Sequence, residues 1–306
     1  MSHFCVVSTT EYEADLARAE LWALSGVDAA GRVVTVRSPV DVARAAYVTA
    51  CAEELASGPS PAALSRALEG RRLRFERFRI TPMTLPPRPK VTLREAVIEA
   101  ARNVDGTVDV HAPLTELLLV GSEGDWRLGR VTSQATKGYV EHDSKPWGFS
   151  SALPTRVARA MVNLAASPGD AIIDPCCGVG TILLEAWAVG MRAVGGDVNR
   201  KLVGMTRANL QHFGRPGWAC VADAERPWAR ADAVVTDFPY GRQSARDPEL
   251  YGRLLAALPA FAPKLVVVTA EGIERLLEQG GYDVLRTADV LKPHGFRRRV
   301  HVAQVR

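Results

Sequence analysis

The sequence predicts an α/β protein with a parallel sheet in its C-terminal half and a smaller α+β region before it. Two observations predict this class. From about Leu153, short apolar runs recur, and each is followed by a segment of helix length, which is typical of a parallel sheet covered on both faces. The first of these runs ends in an acidic residue and a glycine-rich turn. At 306 residues the chain is long enough for two domains.

Seven strands are expected in the C-terminal half. Five apolar runs alternate with helix-length segments, at 171–173, 193–196, 218–222, 233–236 and 265–269. Two closing strands, near 282–290 and 299–305, are joined through the segment 292–295. Because this turn is too short for a crossover helix, the two closing strands are expected to be antiparallel.

The N-terminal half is predicted to be compact and α+β. Its expected elements are a strand at 4–8, helices at 12–24, 41–55 and 92–102, and paired strands at 114–120 and 127–132. Thr92 and Glu95 have the spacing of a capping box. The proline-rich segment 81–89 is predicted to be an extended connector, because proline disfavours helix at the residue before it. The expected domains are an N-terminal region over 1–135, a linker over 136–150 and a second domain over 151–306.

Basic residues are concentrated in two parts of the chain. Nine lie between Arg66 and Arg94 against two acidic residues, and six lie from Arg286 onward against one, although the net charge is only +4. Such clusters can neutralise nucleic-acid phosphates. The alternative is a solvated basic face, and the charge pattern alone favours that alternative.

The five cysteines show no C-x-x-C spacing, which argues against a disulfide framework or a zinc site. The histidines form no metal-ligand pattern with acidic residues, so no metal is predicted. The first residues do not have the pattern of a signal peptide, and no apolar run is long enough to span a bilayer. The sequence therefore predicts a cytoplasmic protein with no membrane partner.

The segment Asp174–Ala186 reads as a strand end, a glycine-rich turn and a helix. A dinucleotide-binding loop is the alternative, but the third glycine is absent and the Asp174 charge would repel a pyrophosphate. An acidic residue here suits a cationic ligand with an ammonium and a sulfonium group, such as S-adenosylmethionine. The cysteines of the turn are expected to fill it and not to react. The cofactor contacts predicted in this segment are Asp174, Cys176, Gly178, Gly180 and Thr181.

Acidic residues also follow the second and third predicted strands. Asp197 is placed to accept both ribose hydroxyls of a nucleoside, as in nucleotide-binding α/β folds. A helix N-cap role is the alternative. Asp223 is expected to accept from an adenine amino group or, alternatively, to cap a loop. Val198 and Ala224 are included as predicted cofactor contacts.

The fourth strand ends in Asp237-Phe238-Pro239-Tyr240, the predicted catalytic segment. A segment of this kind could activate an exocyclic amino group of a nucleobase. Such a group is otherwise a poor nucleophile, because its lone pair is delocalised into the ring. The Asp237 carboxylate and a backbone carbonyl near Phe238 could hold its hydrogens, while Pro239 fixes the turn and Tyr240 stacks on the base. An ordinary turn is the alternative, and the glycine-rich turn earlier in the chain makes it the weaker one.

These motifs together resemble the tRNA guanosine-N2 methyltransferases that carry a THUMP domain. Asp174–Ala186 looks like that family's first motif, and 150–165 is similar to its upstream helix, which helps to close the methionine pocket. Asp237–Gly241 resembles its (D/N)-P-P-Y-G loop and departs from it at Phe238, where proline is commonest. The resemblance covers roughly 145–245. Less specifically, 108–116 resembles the end of a THUMP domain and 20–24 the family's small N-terminal domain.

The resemblance implies a seven-stranded Rossmann-like class I methyltransferase domain after a THUMP-like region that binds the tRNA end. The expected reaction forms N2-methylguanosine in tRNA, with S-adenosylmethionine as methyl donor and the target base out of its stack. Two alternatives remain at this point, a methyltransferase acting on DNA adenine or cytosine and a non-catalytic RNA-binding protein with a degenerate cofactor pocket. The sequence does not determine the target nucleotide, mono- or dimethylation, a homodimer or a small activator subunit.

Overall fold

The computed structural model describes residues 2–149, 152–239, 249–291 and 297–306. The chain forms two compact units, each assembled from several segments. The first unit comprises the residues up to Ser8, Ala29–Ala43 and Val48–Ala135. The second unit comprises Thr9–Asp28, Arg44–Tyr47 and the chain from Thr136 onward. Within the described residues, no helix has the length and apolar character needed to cross a membrane.

Strands and helices are numbered here in chain order. The strands are β1 (His3–Val7), β2 (Val33–Val36), β3 (Val48–Gly58), β4 (Leu73–Thr84), β5 (Val104–Val108), β6 (Thr115–Ser122), β7 (Asp125–Gln134), β8 (Ala171–Asp174), β9 (Arg192–Asp197), β10 (Ala219–Val221), β11 (Ala233–Asp237), β12 (Lys264–Thr269), β13 (Tyr282–Leu291) and β14 (Arg297–Val305). The helices are α1 (Ala14–Ser25), α2 (Pro61–Leu68), α3 (Leu93–Ala101), α4 (Thr155–Ala165), α5 (Thr181–Ala188), α6 (Arg200–His212), α7 (Leu250–Ala257) and α8 (Glu274–Gln279).

The first unit is built on a seven-stranded mixed sheet in the order β2-β1-β3-β7-β6-β4-β5. Strands β4, β5 and β6 are mutually parallel, whereas the other neighbours are antiparallel. The predicted pairing of the strands at 114–120 and 127–132 is confirmed, because β6 and β7 form an antiparallel pair. Helix α3 begins at the predicted capping box, in which Thr92 and Glu95 each bond to the other's backbone N–H. The unit is therefore α+β, as the sequence predicts.

The prediction of a helix over 41–55 is wrong. Residues 41–47 are not helical, and Val48–Gly58 forms β3. Many residues of this segment are good helix formers, which explains the prediction. Strand β3 instead lies between β1 and β7, which supply hydrogen bonds along both of its edges, and Val48–Glu53 is buried throughout. Tertiary pairing and burial override the local preference here.

The predicted connector over 81–89 is partly wrong, because β4 continues through Pro82 to Thr84. Proline is tolerated in this strand for a reason that the register shows. Strand β5 pairs with β4 only up to Phe78, whereas β6 pairs with it from Phe78 to Thr84. Beyond Phe78 the other edge of β4 has no strand partner among the described residues. Pro82 therefore lies in an edge segment, where a missing N–H is acceptable.

The second unit contains a seven-stranded sheet in the order β10-β9-β8-β11-β12-β14-β13. The first five strands in this order are parallel, and β14 is antiparallel to both β12 and β13. The five alternating strands and the antiparallel closing pair predicted from the sequence are confirmed. The predicted turn between the closing strands, 292–295, lies outside the described residues. In one buried apolar cluster, Val234 of β11 and Leu265 of β12 pack with Leu254 of α7 and with Phe261.

Helix α1 belongs to this second unit, where it contacts α4 and β13. Its residue Glu20 is fully buried and accepts hydrogen bonds from the backbone N–H groups of Ala46 and Tyr47, at 2.8 and 2.7 Å. Asn163 of α4 donates to the same carboxylate from its amide nitrogen at 2.7 Å. A buried carboxylate thus joins three segments that are distant in sequence.

Candidate active site

Three carboxylates lie at the carboxyl ends of parallel strands in the second unit. Asp174 is the last residue of β8, Asp197 of β9 and Asp237 of β11, and these strands are neighbours in the sheet. The carboxyl ends of parallel strands meet at one edge, where open α/β sheets bind their ligands. All three aspartates line one cavity of about 510 Å³. The residues predicted from separate motifs are therefore brought to one place.

Asp174 is the most deeply buried of the three, with 1% of its surface exposed. Its Oδ1 accepts a hydrogen bond from the Thr236 hydroxyl at 2.8 Å and another from the Cys176 N–H at 3.1 Å. Burial raises the pKa of Asp174 to about 8, despite these two bonds, and the charges of Asp237 and Asp197 add to the increase. Ionising Asp174 is therefore unfavourable without a positive charge nearby.

The glycine-rich turn after β8 uses backbone conformations that favour glycine. Gly178 has φ +54° and Gly180 has φ +80°. A side chain on Gly180 would come within 2.6 Å of Thr206 Cγ2, so this glycine lets α6 approach the turn closely. A Cβ on Gly178 would meet no described atom within 4 Å, and this residue lines the cavity. Gly180 supports the turn, whereas Gly178 leaves space on the ligand side.

Thr181, the first residue of α5, also lines the cavity. Its hydroxyl is buried and has no hydrogen-bond partner among the described residues. Buried hydroxyl groups are normally hydrogen-bonded. A polar ligand group in the cavity would provide the partner that this hydroxyl lacks.

Asp197 holds the turn between β9 and α6 and also faces the cavity. Its two oxygens accept from the N–H groups of Gly178, at 3.0 Å, and Asn199, at 2.8 Å. Burial raises the pKa of Asp197, and these two hydrogen bonds oppose the increase. Asn199 is the N-cap of α6, through a bond from Lys201 N–H at 3.0 Å, so Asp197 is not itself the cap. Carboxylate oxygens can accept more than one bond, which leaves Asp197 able to bind hydroxyl groups.

Asp223 and Ala224 follow the short strand β10 and line the cavity together with Val198. Asp223 Oδ1 accepts from the Glu225 N–H at 3.0 Å, which is the loop-capping arrangement considered from the sequence. Its side chain is 46% exposed. Capping and ligand contact are therefore compatible at this residue.

At the end of β11, the segment Asp237–Pro239 lines the cavity. The Phe238 N–H donates to the Val268 carbonyl of β12 at 3.1 Å, and the Phe238 side chain is 1% exposed. The Phe238 ring packs against Tyr251 with ring centroids 5.2 Å apart. Tyr240, the fourth residue of the predicted catalytic segment, lies outside the described residues.

Several cavity residues were not predicted from the sequence as site residues. They are Phe149, Leu153, Leu202, Leu250 and Leu254 among others, and most are apolar. Phe149 is half-exposed and follows a segment that Asn209 of α6 fixes. The Asn209 side chain accepts from the Trp147 N–H and donates to the carbonyls of Trp147 and Val179, each at 2.9 Å. The sequence signal for this stretch is the resemblance of 150–165 to an upstream helix that helps to close the methionine pocket.

The two cysteines of the turn are poor nucleophiles. Burial raises the pKa of the Cys176 thiol well above its ordinary value, and the charge of Asp174 adds to this effect. Burial likewise raises the pKa of Cys177. Because the thiolate is the reactive form, both residues are suited to filling the turn.

The second unit resembles known methyltransferase domains. Residues 143–277 match the family model described as UPF0020, RMKL-like, methyltransferase domain. A tRNA (guanine(10)-N2)-dimethyltransferase from Methanothermobacter thermautotrophicus is 41% identical over 141 residues, which are 44% of this chain and 42% of that protein. Another protein of that name, from Pyrococcus abyssi, is 36% identical over 126 residues, 38% of each chain. The matched residues thus span about two fifths of the length of these relatives.

A solved structure shows the same fold over the whole length. The crystal structure of TrmN from Thermus thermophilus covers 100% of both chains with a TM-score of 0.55 and 20% sequence identity. At this identity the likeness concerns the fold. Residues 143–277, which include β8 to β12 of the seven-stranded sheet, are therefore similar to an RMKL-like methyltransferase domain.

Proposed function

We propose that the protein is an S-adenosylmethionine-dependent methyltransferase that forms N2-methylguanosine in tRNA. The observation that carries this proposal is the group of three strand-end aspartates around one cavity, in which Asp174 is buried and resists ionisation. A cationic ligand would favour the charged form of Asp174. The relatives named as tRNA guanine-N2 dimethyltransferases support this choice of reaction.

The cavity residues fit S-adenosylmethionine in charge and in polar groups. When bound, this ligand supplies an activated methyl group on a sulfonium and carries an ammonium, a carboxylate and an adenosine. Asp174 is suited to the positive end of the ligand. Thr181 at the start of α5 offers a hydroxyl that has no partner among the described residues, and Gly178 leaves room for a close approach. The N-terminus of α5 also favours a carboxylate.

The remaining cofactor contacts follow from position along the sheet edge. Asp197 would accept the ribose hydroxyls, as acids at the end of the second strand do in nucleotide-binding folds. Asp223 would accept from the adenine amino group, with Val198 and Ala224 against the ring. Cys176 and Gly180 contribute to the shape of the turn.

Asp237 and the backbone carbonyl of Phe238 would accept the hydrogens of the guanine N2 amino group and direct its lone pair toward the methyl group. Pro239 would restrict the turn, and Tyr240 would stack on the base. Base stacking on an aromatic side chain contributes roughly 1–3 kcal/mol. The guanine must leave its stack for the amino group to reach this cavity. Phe238 replaces a proline of the resembled motif without removing the carbonyl, so the arrangement of acceptors is retained.

The first unit is proposed to bind RNA as a THUMP-like region, in a cytoplasmic enzyme. Most of the basic cluster between Arg66 and Arg94 is exposed; the exposed members are Arg66, Arg71, Arg72, Arg74, Arg88, Lys90 and Arg94. Arg77 and Arg79 are instead half-buried and paired with Asp109 and Glu116. Exposed cations are available for phosphate contacts, which would make RNA binding weaken as salt is raised.

Methyl transfer by an Asp237→Ala variant tests the proposal. The parent protein, labelled S-adenosylmethionine and bulk tRNA should give N2-methylguanosine, identified by mass spectrometry of the nucleosides, whereas duplex DNA should not be labelled. The variant should lose a factor on the order of 10²–10³ in rate, as when one preorganised electrostatic group is removed, while donor binding measured by calorimetry stays within a few-fold. Asp283→Ala is the matched control, because Asp283 is exposed on β13 and pairs with Arg306. Labelled DNA and unlabelled tRNA, or an Asp237→Ala variant as active as the control, would contradict the proposal.

A further inference from the structure

Tyr251 makes two contacts with the predicted catalytic segment. It lies in the first turn of α7 and is 7% exposed. Its hydroxyl donates a hydrogen bond to the Pro239 carbonyl at 3.1 Å, and its ring packs against the Phe238 ring. One side chain from α7 therefore contacts both the backbone and a side chain of this segment.

The sheet holds the first part of this segment. Strand β11 ends at Asp237, and the Phe238 N–H makes the bond to Val268 of β12. Proline has no N–H, so the carbonyl is the one backbone group through which Pro239 can be fixed by a hydrogen bond. Tyr251 uses that carbonyl. The segment is thus held at Phe238 by the sheet and at Pro239 by α7.

The position of the Tyr251 hydroxyl is itself well defined. Its ring belongs to the buried cluster that includes Leu254, Leu255, Leu258 and Phe238. Closely packed side chains keep one rotamer on average. A fixed ring places a fixed donor at the end of the segment, and acceptors held in position in advance are what an electrostatic catalytic arrangement requires.

We propose that Tyr251 is a positioning residue that keeps the Asp237 carboxylate and the Phe238 carbonyl oriented for the substrate amino group. The inference rests on the proposed function, since it supplies a reason for that orientation. Tyr251 would act through the segment 237–239 and not by touching the cofactor. Its loss should therefore lower the rate of methyl transfer and leave donor binding unchanged.

Tyrosine-to-phenylalanine substitutions at two positions provide a matched test. Tyr282 is buried as well, with none of its surface exposed, and its hydroxyl also donates to a backbone carbonyl, that of Leu255 in α7, at 3.4 Å. Tyr251→Phe should lower kcat roughly tenfold, the effect of losing one ordinary hydrogen bond from an oriented group, with KM for S-adenosylmethionine within twofold of the parent. Tyr282→Phe should leave kcat within twofold. Tyr251→Leu, which also loses the contact with Phe238, should lower kcat further.

Hydrogen exchange gives a second readout that does not depend on turnover. The backbone amide of Phe238 should exchange faster in Tyr251→Phe than in the parent, and Tyr282→Phe should not change it. Parent-like kcat and exchange in Tyr251→Phe would overturn the inference, as would equal losses of kcat in the two phenylalanine variants. If the parent transfers no methyl group to RNA or DNA, the proposed function fails, while the exchange rates still decide whether Tyr251 holds the segment.

Discussion

Replacing Asp174 by asparagine tests the electrostatic basis of the site. Asparagine retains an oxygen that can accept from the Thr236 hydroxyl and the Cys176 N–H, so both hydrogen bonds can survive while the titratable group is removed. The pKa of Asp174 is raised from 3.8 to about 8 in the folded protein. The folded state therefore keeps a proton that the unfolded chain releases.

The sign and size of the effect follow from proton linkage. Because the pKa of this acid is higher in the folded state, its contribution to stability decreases as pH rises above the unfolded value and levels off above pH 8. As pH rises from 6 to 8, the titration of Asp174 should lower the free energy of unfolding of the ligand-free parent by about 2 kcal/mol. The Asp174→Asn variant lacks this decrease, so it should become more stable relative to the parent as pH is raised.

Urea unfolding of both proteins at pH 6, 7 and 8 measures this difference. Asp197 also has a raised pKa, but it is present in both proteins and largely cancels in the comparison. Calorimetry should show that S-adenosylmethionine binds the variant at least about tenfold more weakly, since one pKa unit corresponds to a tenfold change in affinity. It should also show that binding to the parent releases protons at pH 7. If the stability difference between parent and variant were the same at all three pH values, the reasoning would be refuted.

Two further predictions concern the surroundings of Asp174. Thr236→Val removes the hydroxyl that donates to Asp174, so the pKa of Asp174 should rise further and donor affinity at pH 7 should fall about tenfold; calorimetry with unchanged affinity would contradict this. Gly180→Ala should lower the free energy of unfolding by roughly 2–3 kcal/mol, because a left-handed backbone and a clash with Thr206 add together. Gly178→Ala should lower the free energy of unfolding by only about 1 kcal/mol and should mainly weaken donor binding. Thermal unfolding and calorimetry separate the two, and equal stability losses would argue against the assigned roles.

Much of the second unit is predictable because its signals are local. Asp174, Gly178 and Asp197 each occupy a fixed place in a strand-turn-helix pattern, and the carboxyl ends of parallel strands must meet at one edge. The capping box at Thr92 is equally local. In contrast, β3 contains helix-forming residues, and only its two neighbouring strands make it extended. The helix predicted over 41–55 is therefore wrong because β3 pairs with segments that are distant in sequence.

The residues that support the site gave no such signal. In the sequence, Thr236 is only one residue of an apolar strand run. Its hydrogen bond to Asp174 depends on how β11 is placed beside β8. Tyr251 follows a stretch of the chain that shows no motif, and its contact with Pro239 arises only when α7 packs on the sheet. The sequence therefore indicates the groups that carry chemistry, and the tertiary structure identifies those that orient them.

Because the second unit is assembled from separate stretches of sequence, it cannot be isolated by a simple N-terminal truncation. A truncated gene starting at codon 136 would encode every cavity-lining residue and yet omit Glu20, the acceptor for Asn163. Such a fragment would leave an uncovered apolar surface where α1 contacts α4 and β13. We expect this fragment to be insoluble or poorly folded. When the same fragment is co-expressed with a peptide spanning Thr9–Tyr47, its solubility and folding should be restored.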